Sequence, residues 1–516
     1  MRCLRDFAAF IVNIFSAHRI EILAVIVAGF FALGAHINDV PLVDWDEATY
    51  AEVAHEAVAS GHYLDLTWNG APYLKKPPML FWLSALSFKT FGESEFSARL
   101  PSVLAGIGTL ILIYLAAAAA AGRIAAILSA LIPLGFYFFI ARGGREAATD
   151  APMLFFSTLA IWSALRARPH RGWLVLAGAA CGMAILSKGL AGVIPAIVIA
   201  LAVAALPAYR EIGVGGLLAF SASAAVVAGP WCAYEVVHDR AMFWSIFVGQ
   251  ETLARLTSHL EDHRHSANFT LHTFIREIRF LWPVLIPMPV VAWIRLRAGI
   301  RSAISAVPPA AACWLIWLGV AMGAACAVQT RLPWYILPAL VPFALLAGAV
   351  LADAFYQPGR AGRVAAALGV VAIAVLALTA RIRWQDNDQT CQVERAGSMA
   401  SYTMAVRARE LAAQRGGRLY FAGIPLPTLI YYSKLKCEFV APSDRGEFEL
   451  IGDDLAGPLV ADGELMLVGP DRNATIVSNY EDESRIDATA AFAPTDGTSK
   501  KISVLPPHPL ADTMGD

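Results

Sequence analysis

Apolar runs long enough to cross a bilayer recur along this chain, and no other feature narrows its fold as much. The hydrocarbon core is about 30 Å thick, so a helix of roughly 17–25 apolar residues spans it; only helices and closed barrels satisfy their backbone there. Candidate spans begin near Ile20, Phe96, Gly122, Glu146, Gly172, Leu190, Gly213, His272, Ala303, Leu332 and Val364. They predict an α-helical polytopic membrane protein with about 11–13 transmembrane helices, because hydropathy misses short or broken spans. Composition agrees: of 516 residues, 57% are hydrophobic and 16% charged, where a soluble protein carries about a quarter charged. The net charge of −1 offers no global field for nucleic acid.

Charge placement predicts sidedness. Arg123, Arg166 to Arg171, Tyr209-Arg210, Arg295 to Arg301, and Arg360 with Arg363 fall in alternate turns. Short Arg-rich turns on one side mark the cytoplasmic face, with the N-terminus inside. Met1–Arg19 reads as a cytoplasmic or interfacial lead-in rather than a cleavable signal. The stretch Pro41–Pro101 (first external loop at 39–98), Asp150, Lys188, the segment Tyr234–Leu271 and Gln329–Tyr335 then all lie outside. So does everything after the last span.

The first of these is too long and too rich in polar groups for a connector. Asp44, Asp46 and Glu47 surround Trp45, followed by an amphipathic helical pattern suited to a membrane surface. Any one acid here also reads as a helix N-cap, though a cap needs one acid and three are present. Further on, Lys75-Lys76 precede Pro77-Pro78, which stop one element and start another. Two ammonium groups so placed suit an anionic headgroup such as a phosphate; interfacial snorkelling is the alternative.

Past residue 383 the long apolar runs end. Helical MAVRARELAAQR, strand-like RLYFAG, helical LPTLIYYSKLK and strand-like ELMLVGP predict a small C-terminal extracytoplasmic α/β domain. The expected domains are therefore 1–383 and 384–516. Cys391 and Cys437 would both lie in an oxidising compartment, where a disulfide is open to them. The other cysteines of the spans read as packing residues. His259, His263 and His265 with Glu261 and Asp262 read either as a solvated turn or as zinc ligands, His263 and His265 foremost.

The order D-E-x-x-Y-A-E (Asp46, Glu47, Tyr50), N-G-x-x-Y-x-x-K-P-P (Tyr73, Lys76) and a closing R-L-P resembles the first external loop of bacterial GT-C glycosyltransferases. The similarity is to the lipid A 4-amino-4-deoxy-L-arabinose transferases and the wider protein O-mannosyltransferase clan. Asp150, Ser187-Lys188-Gly189, Gly229-Pro230-Trp231, Gln250-Glu251 with Arg255, His263-Arg264 and Leu332-Pro333-x-Tyr335 carry it further along. The resemblance implies inverting transfer from a polyprenyl-phosphate sugar to a lipid or protein acceptor, on the outer face of the bacterial inner membrane. It implies a catalytic Asp46 acting as base or electrostatic partner, and a second acid at Asp150. Lys76, Arg331 and Tyr335 would hold the donor phosphate, with Glu47, Tyr50, Tyr73, Lys75, Lys188, Glu251 and Arg255 as further substrate-binding residues. No cofactor is required, since cations can neutralise a departing monophosphate; a structural zinc is the one metal it suggests.

Two departures stand out. Lys75 occupies the place of an acid in the arabinose transferases, removing a partner for an amino sugar. Arg331 replaces a Lys, keeping the charge and changing its geometry. A transporter of lipid-linked sugars would place its charges near the midplane, often with repeats; here they cluster in loops, and no repeat is evident. A membrane-anchored binding or scaffold protein would leave the acids and lysines of the first loop unexplained.

Overall fold

The computed structural model describes residues 17–167, 172–258, 265–266, 268–281, 308–355, 401–410 and 426–440, with short segments elsewhere between 378 and 504. The chain divides into two compact units. One comprises Met1–Asn38, His62–Leu66 and Tyr73–Gln389; the other comprises Asp39–Gly61, Thr67–Pro72 and Thr390–Asp516. The loop expected to be external is thus shared: its acidic first half groups with the residues from 390 onward. A linear boundary at 383/384 does not coincide with these units.

Taken along the chain, α1 (Arg19–Gly29) runs into a π-helical turn, Phe30–Gly34. The second unit then contributes α2 (Asp46–Ser60) and the hairpin β1 (Thr67–Trp68) with β2 (Ala71–Pro72). Back in the first unit, α3 (Met79–Phe91) starts directly after Pro77-Pro78, as proline's preset φ and missing N–H favour. Ser94 caps α4 (Glu95–Leu131): its hydroxyl accepts from Ser97 N, and the Ser97 hydroxyl accepts from Ser94 N. There follow α5 (Asp150–Leu165), α6 (Gly172–Lys188), α7 (Ile194–Ala205), α8 (Gly213–His238), α9 (Phe269–Ile278), α10 (Pro309–Ala327) and α11 (Leu337–Phe355).

Among the described residues five helical runs are long and apolar enough to cross a membrane: Glu95–Gly135, Gly172–Ala205, Pro207–His238, Pro309–Ala327 and Pro333–Asp353. A sixth forms if Tyr137–Arg145 and Asp150–Leu165, bent by 96° to each other, count as one broken span. This is fewer than the sequence predicts, and the reason is local. The expected spans at Phe96 and Gly122 form one run interrupted at Gly122, whose φ of 85° breaks helical geometry. Those at Gly172 and Leu190 join through the 3-10 turn Gly189–Val193. The segment expected from His272 leaves the described residues after Leu281, and the one expected at Val364 lies outside them.

Close approaches of small residues lock the first helices together. A Cβ on Gly106 would stand 2.7 Å from the Gly143 carbonyl and 2.8 Å from Leu33; one on Gly144 would stand 2.7 Å from Leu33. Two buried arginines satisfy the carbonyls left over where α1 ends: Arg99 Nη1 donates to Ile37 O at 2.6 Å, and Arg145 Nη1 to Ala35 O at 2.9 Å. The apolar core includes Leu33, Tyr114, Phe136, Phe139, Trp314 and Trp317. Val214, Leu218 and Val226 of α8 are exposed, as lipid-facing positions are.

The second unit contains a five-stranded sheet ordered β4-β3-β7-β8-β9. Its strands are β3 (Arg418–Ala422), β4 (Cys437–Val440), β7 (Leu465–Val468), β8 (Ala474–Val477) and β9 (Ile502–Val504); β5 (Phe448–Gly452) and β6 (Leu455–Val460) form a separate hairpin. β3 pairs parallel with β4 through the intervening helix Pro427–Ser433 and antiparallel with β7. Asn69, at the turn between β1 and β2, clasps the start of β4: its Nδ2 donates to Cys437 O at 2.7 Å and Cys437 N donates to its Oδ1 at 3.0 Å. Cys391 lies outside the described residues, and with it the pairing to Cys437.

Candidate active site

Two groups of polar residues gather the expected site positions, one in each unit. In the second unit the three acids around Trp45 separate by role. Asp44 Oδ1 accepts from Thr428 N at 2.9 Å, at the N-terminus of the helix Pro427–Ser433. Glu47 is buried, and its Oε2 accepts from Val43 N at 3.1 Å, closing the start of α2. Asp44 thus satisfies an N–H at the start of a distant helix, and Glu47 satisfies one in the turn before α2. Asp46 opens α2, is partly exposed, and accepts a 3.0 Å hydrogen bond from the Tyr50 hydroxyl four residues on, one turn along the same face.

Trp45 holds φ 73° and ψ −111°, a conformation costing a Cβ-bearing residue on the order of 1–3 kcal/mol. Its ring is 60% exposed. The bonds of Asp44 and Glu47 on either side over-determine that conformation, which turns Asp46 out at the head of the helix.

In the first unit the cations of separate loops converge. Lys76, set by the following prolines, donates to Glu251 Oε2 at 2.5 Å. Arg255 grips the same carboxylate with Nε to Oε2 at 3.1 Å and Nη2 to Oε1 at 3.3 Å, and also hydrogen-bonds Tyr335. Burial alone would raise the Glu251 carboxyl, but Lys76 and Arg255 hold it below the ordinary carboxylate range. Asp150, buried at the start of α5, pairs with Lys188 at 2.5 Å, and the Lys188 ammonium lies 5.6 Å from the Tyr335 ring centre.

Backbone pairing places Arg331 beside this group. Thr330 N donates to Arg255 O and Gln329 N to Leu256 O. Arg331 Nη1 donates to His265 O at 2.6 Å, while its buried Nε has no hydrogen-bond partner among the described residues. Two residues not expected from the sequence complete the arrangement. Arg142 pairs with Glu146 at 3.1 Å and lies over the Trp334 ring at 4.1 Å. The signal available was the basic turn before Asp150; the 96° bend that turns it inward is not a local pattern. Cations at 76, 142, 188, 255 and 331 stand against acids at 146, 150 and 251, so the cluster is net positive and suited to an anion.

Other expected positions fall elsewhere. Lys75 is exposed, and the network takes only the second lysine of the pair. Tyr73 is buried, edge-on to Phe81 at 5.7 Å. The His265 ring stacks on Phe269 at 3.8 Å, and His263 lies outside the described residues. No group of three His, Cys, Asp or Glu is placed to hold a metal among the described residues; His259, Glu261, Asp262 and His263 lie outside them.

Its long apolar helical runs mark a multi-pass membrane protein, and a net-positive cluster of side chains lies among them. A family model described as dolichyl-phosphate-mannose-protein mannosyltransferase matches residues 75–233. The chain is 31% identical over 323 residues to the undecaprenyl phosphate-alpha-4-amino-4-deoxy-L-arabinose arabinosyl transferase of Pseudomonas aeruginosa (strain LESB58), covering 59% of this chain and 55% of the relative. It is 30% identical over 353 residues to the protein of that name from Pseudomonas paraeruginosa, with 65% and 60% covered. The matches thus span little more than half the length of these curated relatives.

Among solved structures, ArnT from Cupriavidus metallidurans bound to undecaprenyl phosphate superposes with a TM-score of 0.64 at 20% identity, covering 83% of this chain and 87% of that one. The oligosaccharyltransferase AglB from Archaeoglobus fulgidus, in complex with an inhibitory peptide and a dolichol-phosphate, gives 0.53 at 13% identity, with 82% and 64% covered. The chain therefore shares the fold of these solved structures and resembles, over part of its length, the lipid A arabinose transferases and the protein O-mannosyltransferases.

Proposed function

We propose that the protein is a glycosyltransferase that moves a sugar from a polyprenyl-phosphate donor to an envelope glycolipid of the lipid A type. The observation that carries this reading is the positive cluster of Lys76, Arg255, Lys188 and Arg331 near Tyr335, among the apolar helices, which suits the phosphate of a lipid-linked donor. Relatives about 30% identical are named for transfer from undecaprenyl phosphate, which supports the donor class.

In this reading an acceptor oxygen attacks the anomeric carbon from the face opposite the phosphate. The bond from that carbon to the phosphate oxygen breaks, inverting the centre, and polyprenyl phosphate leaves with the electron pair. Lys76, Arg255 and Arg331 neutralise the charge building on that oxygen, so no metal is required. Asp46 takes the proton if the acceptor is a hydroxyl; an ionised phosphate acceptor has none to give, and Asp46 then acts by charge alone. Asp150, held by Lys188, orients the sugar or acceptor. The reaction takes place at the outer face of the inner membrane, with the residues beyond 384 on the same side.

A protein hydroxyl is the second acceptor to weigh, because the matching family model is described as a protein mannosyltransferase. Mass spectrometry of lipid extracts from cells with the protein, without it, and with Asp46→Asn separates the two. Loss of one sugar from a glycolipid in both altered strains is the expected result. Unchanged glycolipids with accumulated polyprenyl-phosphate sugar would shift the acceptor to protein, and no change in either pool would overturn the reading.

A further inference from the structure

Glu251 presents a physical conflict. An acid at the centre of a phosphate-binding cluster repels the ligand, yet it occupies the best donors in the site. Its carboxylate takes the Lys76 ammonium and both arms of the Arg255 fork, the same bidentate geometry a phosphate would take. Glu251 neutralises charge on Lys76 and Arg255 that a phosphate would otherwise meet, and it fills the Nε/Nη2 face of the Arg255 guanidinium.

The segment that carries Glu251 is itself unusual. Phe243–Ala254 forms twelve residues of π-helix, and the Thr252 hydroxyl bonds back to Phe247 O at 2.9 Å. π-helical turns are rare, cost hydrogen-bond geometry, and concentrate at functional sites. Gly249 sits within it, two residues before the carboxylate.

We propose that Glu251 is an internal counter-anion, which holds Lys76 and Arg255 in place without donor and is exchanged for the phosphate of the polyprenyl chain when donor binds. The inference rests on the donor class proposed above and assigns a regulation to the same site. The exchange is a competition: the carboxylate keeps the two cations from splaying apart in an empty, partly buried site, and it lowers the net affinity for phosphate. The same competition acts on the spent polyprenyl phosphate, so the returning carboxylate speeds its departure. A fixed anchor, the alternative role, would stay on both cations throughout, and its loss would weaken phosphate binding.

The two roles give opposite signs for Glu251→Gln, which keeps the shape and removes the charge. Titration of the full chain with undecaprenyl phosphate, read by native mass spectrometry, is expected to show binding several-fold to about tenfold tighter in E251Q than in wild type. In turnover, the donor KM is expected to fall together with kcat, and inhibition by added undecaprenyl phosphate to strengthen. If E251Q fails to fold, Glu251→Asp carries the same expectation with a smaller gain, because its shorter carboxylate cannot bridge both cations. Wild-type binding with equal or weaker binding in the variants would overturn the exchange and leave the donor class standing. Absence of binding in wild type and variants alike would overturn both.

Discussion

Lys75 and Lys76 are adjacent in sequence and identical in chemistry, and only packing tells them apart. Lys76 reaches Glu251, whereas Lys75 is exposed. Lys76→Ala is expected to lower kcat by about 10²–10³-fold, as loss of one donor to a developing oxyanion does. Lys75→Ala is expected to stay within about threefold in kcat; equal losses in steady-state rates would refute the distinction. The Glu251 carboxyl titrates below its ordinary value of 4.5 because Lys76 and Arg255 outweigh its burial. Its native pKa is the depressed one, so its contribution to stability is whole above the unfolded value and disappears as pH falls through the native value. Thermal midpoints measured from pH 6 downward should therefore fall more steeply for wild type than for E251Q below about pH 4.5. The three acids around Trp45 teach the same lesson. None of them caps α2 in the way the sequence left open: Asp44 bonds Thr428 N of a distant helix and Glu47 bonds Val43 N in the preceding turn, and no local signal says which goes where.

At the scale of elements, the break between Tyr137–Arg145 and Asp150–Leu165 delivers Arg142 and Asp150 to the site. Its geometry depends on the close fit of Leu33, Gly106 and Gly144. Gly106→Ala puts a methyl against the Gly143 carbonyl, and such overpacking costs about 1–3 kcal/mol. The thermal midpoint in detergent should drop by several degrees, with activity lost alongside; an unchanged midpoint would show that the helices yield easily. A helix start was legible where proline announced it, at Pro77-Pro78 before α3. The fusion of expected spans at Gly122 and at Gly189–Val193 was not, because hydropathy measures apolar length and is blind to a single non-helical residue. Nor was the π-helix Phe243–Ala254, which differs from an α-helix only in which carbonyl each N–H selects.

For the whole molecule, the Arg-rich turns predict an N-terminus and even turns inside. In a cysteine-free background, Lys75→Cys should react with a membrane-impermeant maleimide in intact cells, while Arg123→Cys should react only after permeabilisation. The reverse pattern would invert the orientation and move the proposed chemistry to the cytoplasm. By itself the sequence determined that the chain lives in a membrane, that its unusual polar residues gather in a few stretches between apolar runs, and that Asp46, Lys76, Asp150 and Tyr335 merited attention. Those properties are local: apolar length, charge alternation and motif spacing are all written in neighbouring residues. Only the tertiary structure decided that Leu42 would donate to the Tyr432 hydroxyl at 2.7 Å and group the acidic loop with the chain's distant end. It alone set Glu251, 175 positions from Lys76, between two cations. Contacts between positions so far apart depend on how helices bend and pack, and each bend here turns on one or two residues whose effect appears only against their neighbours.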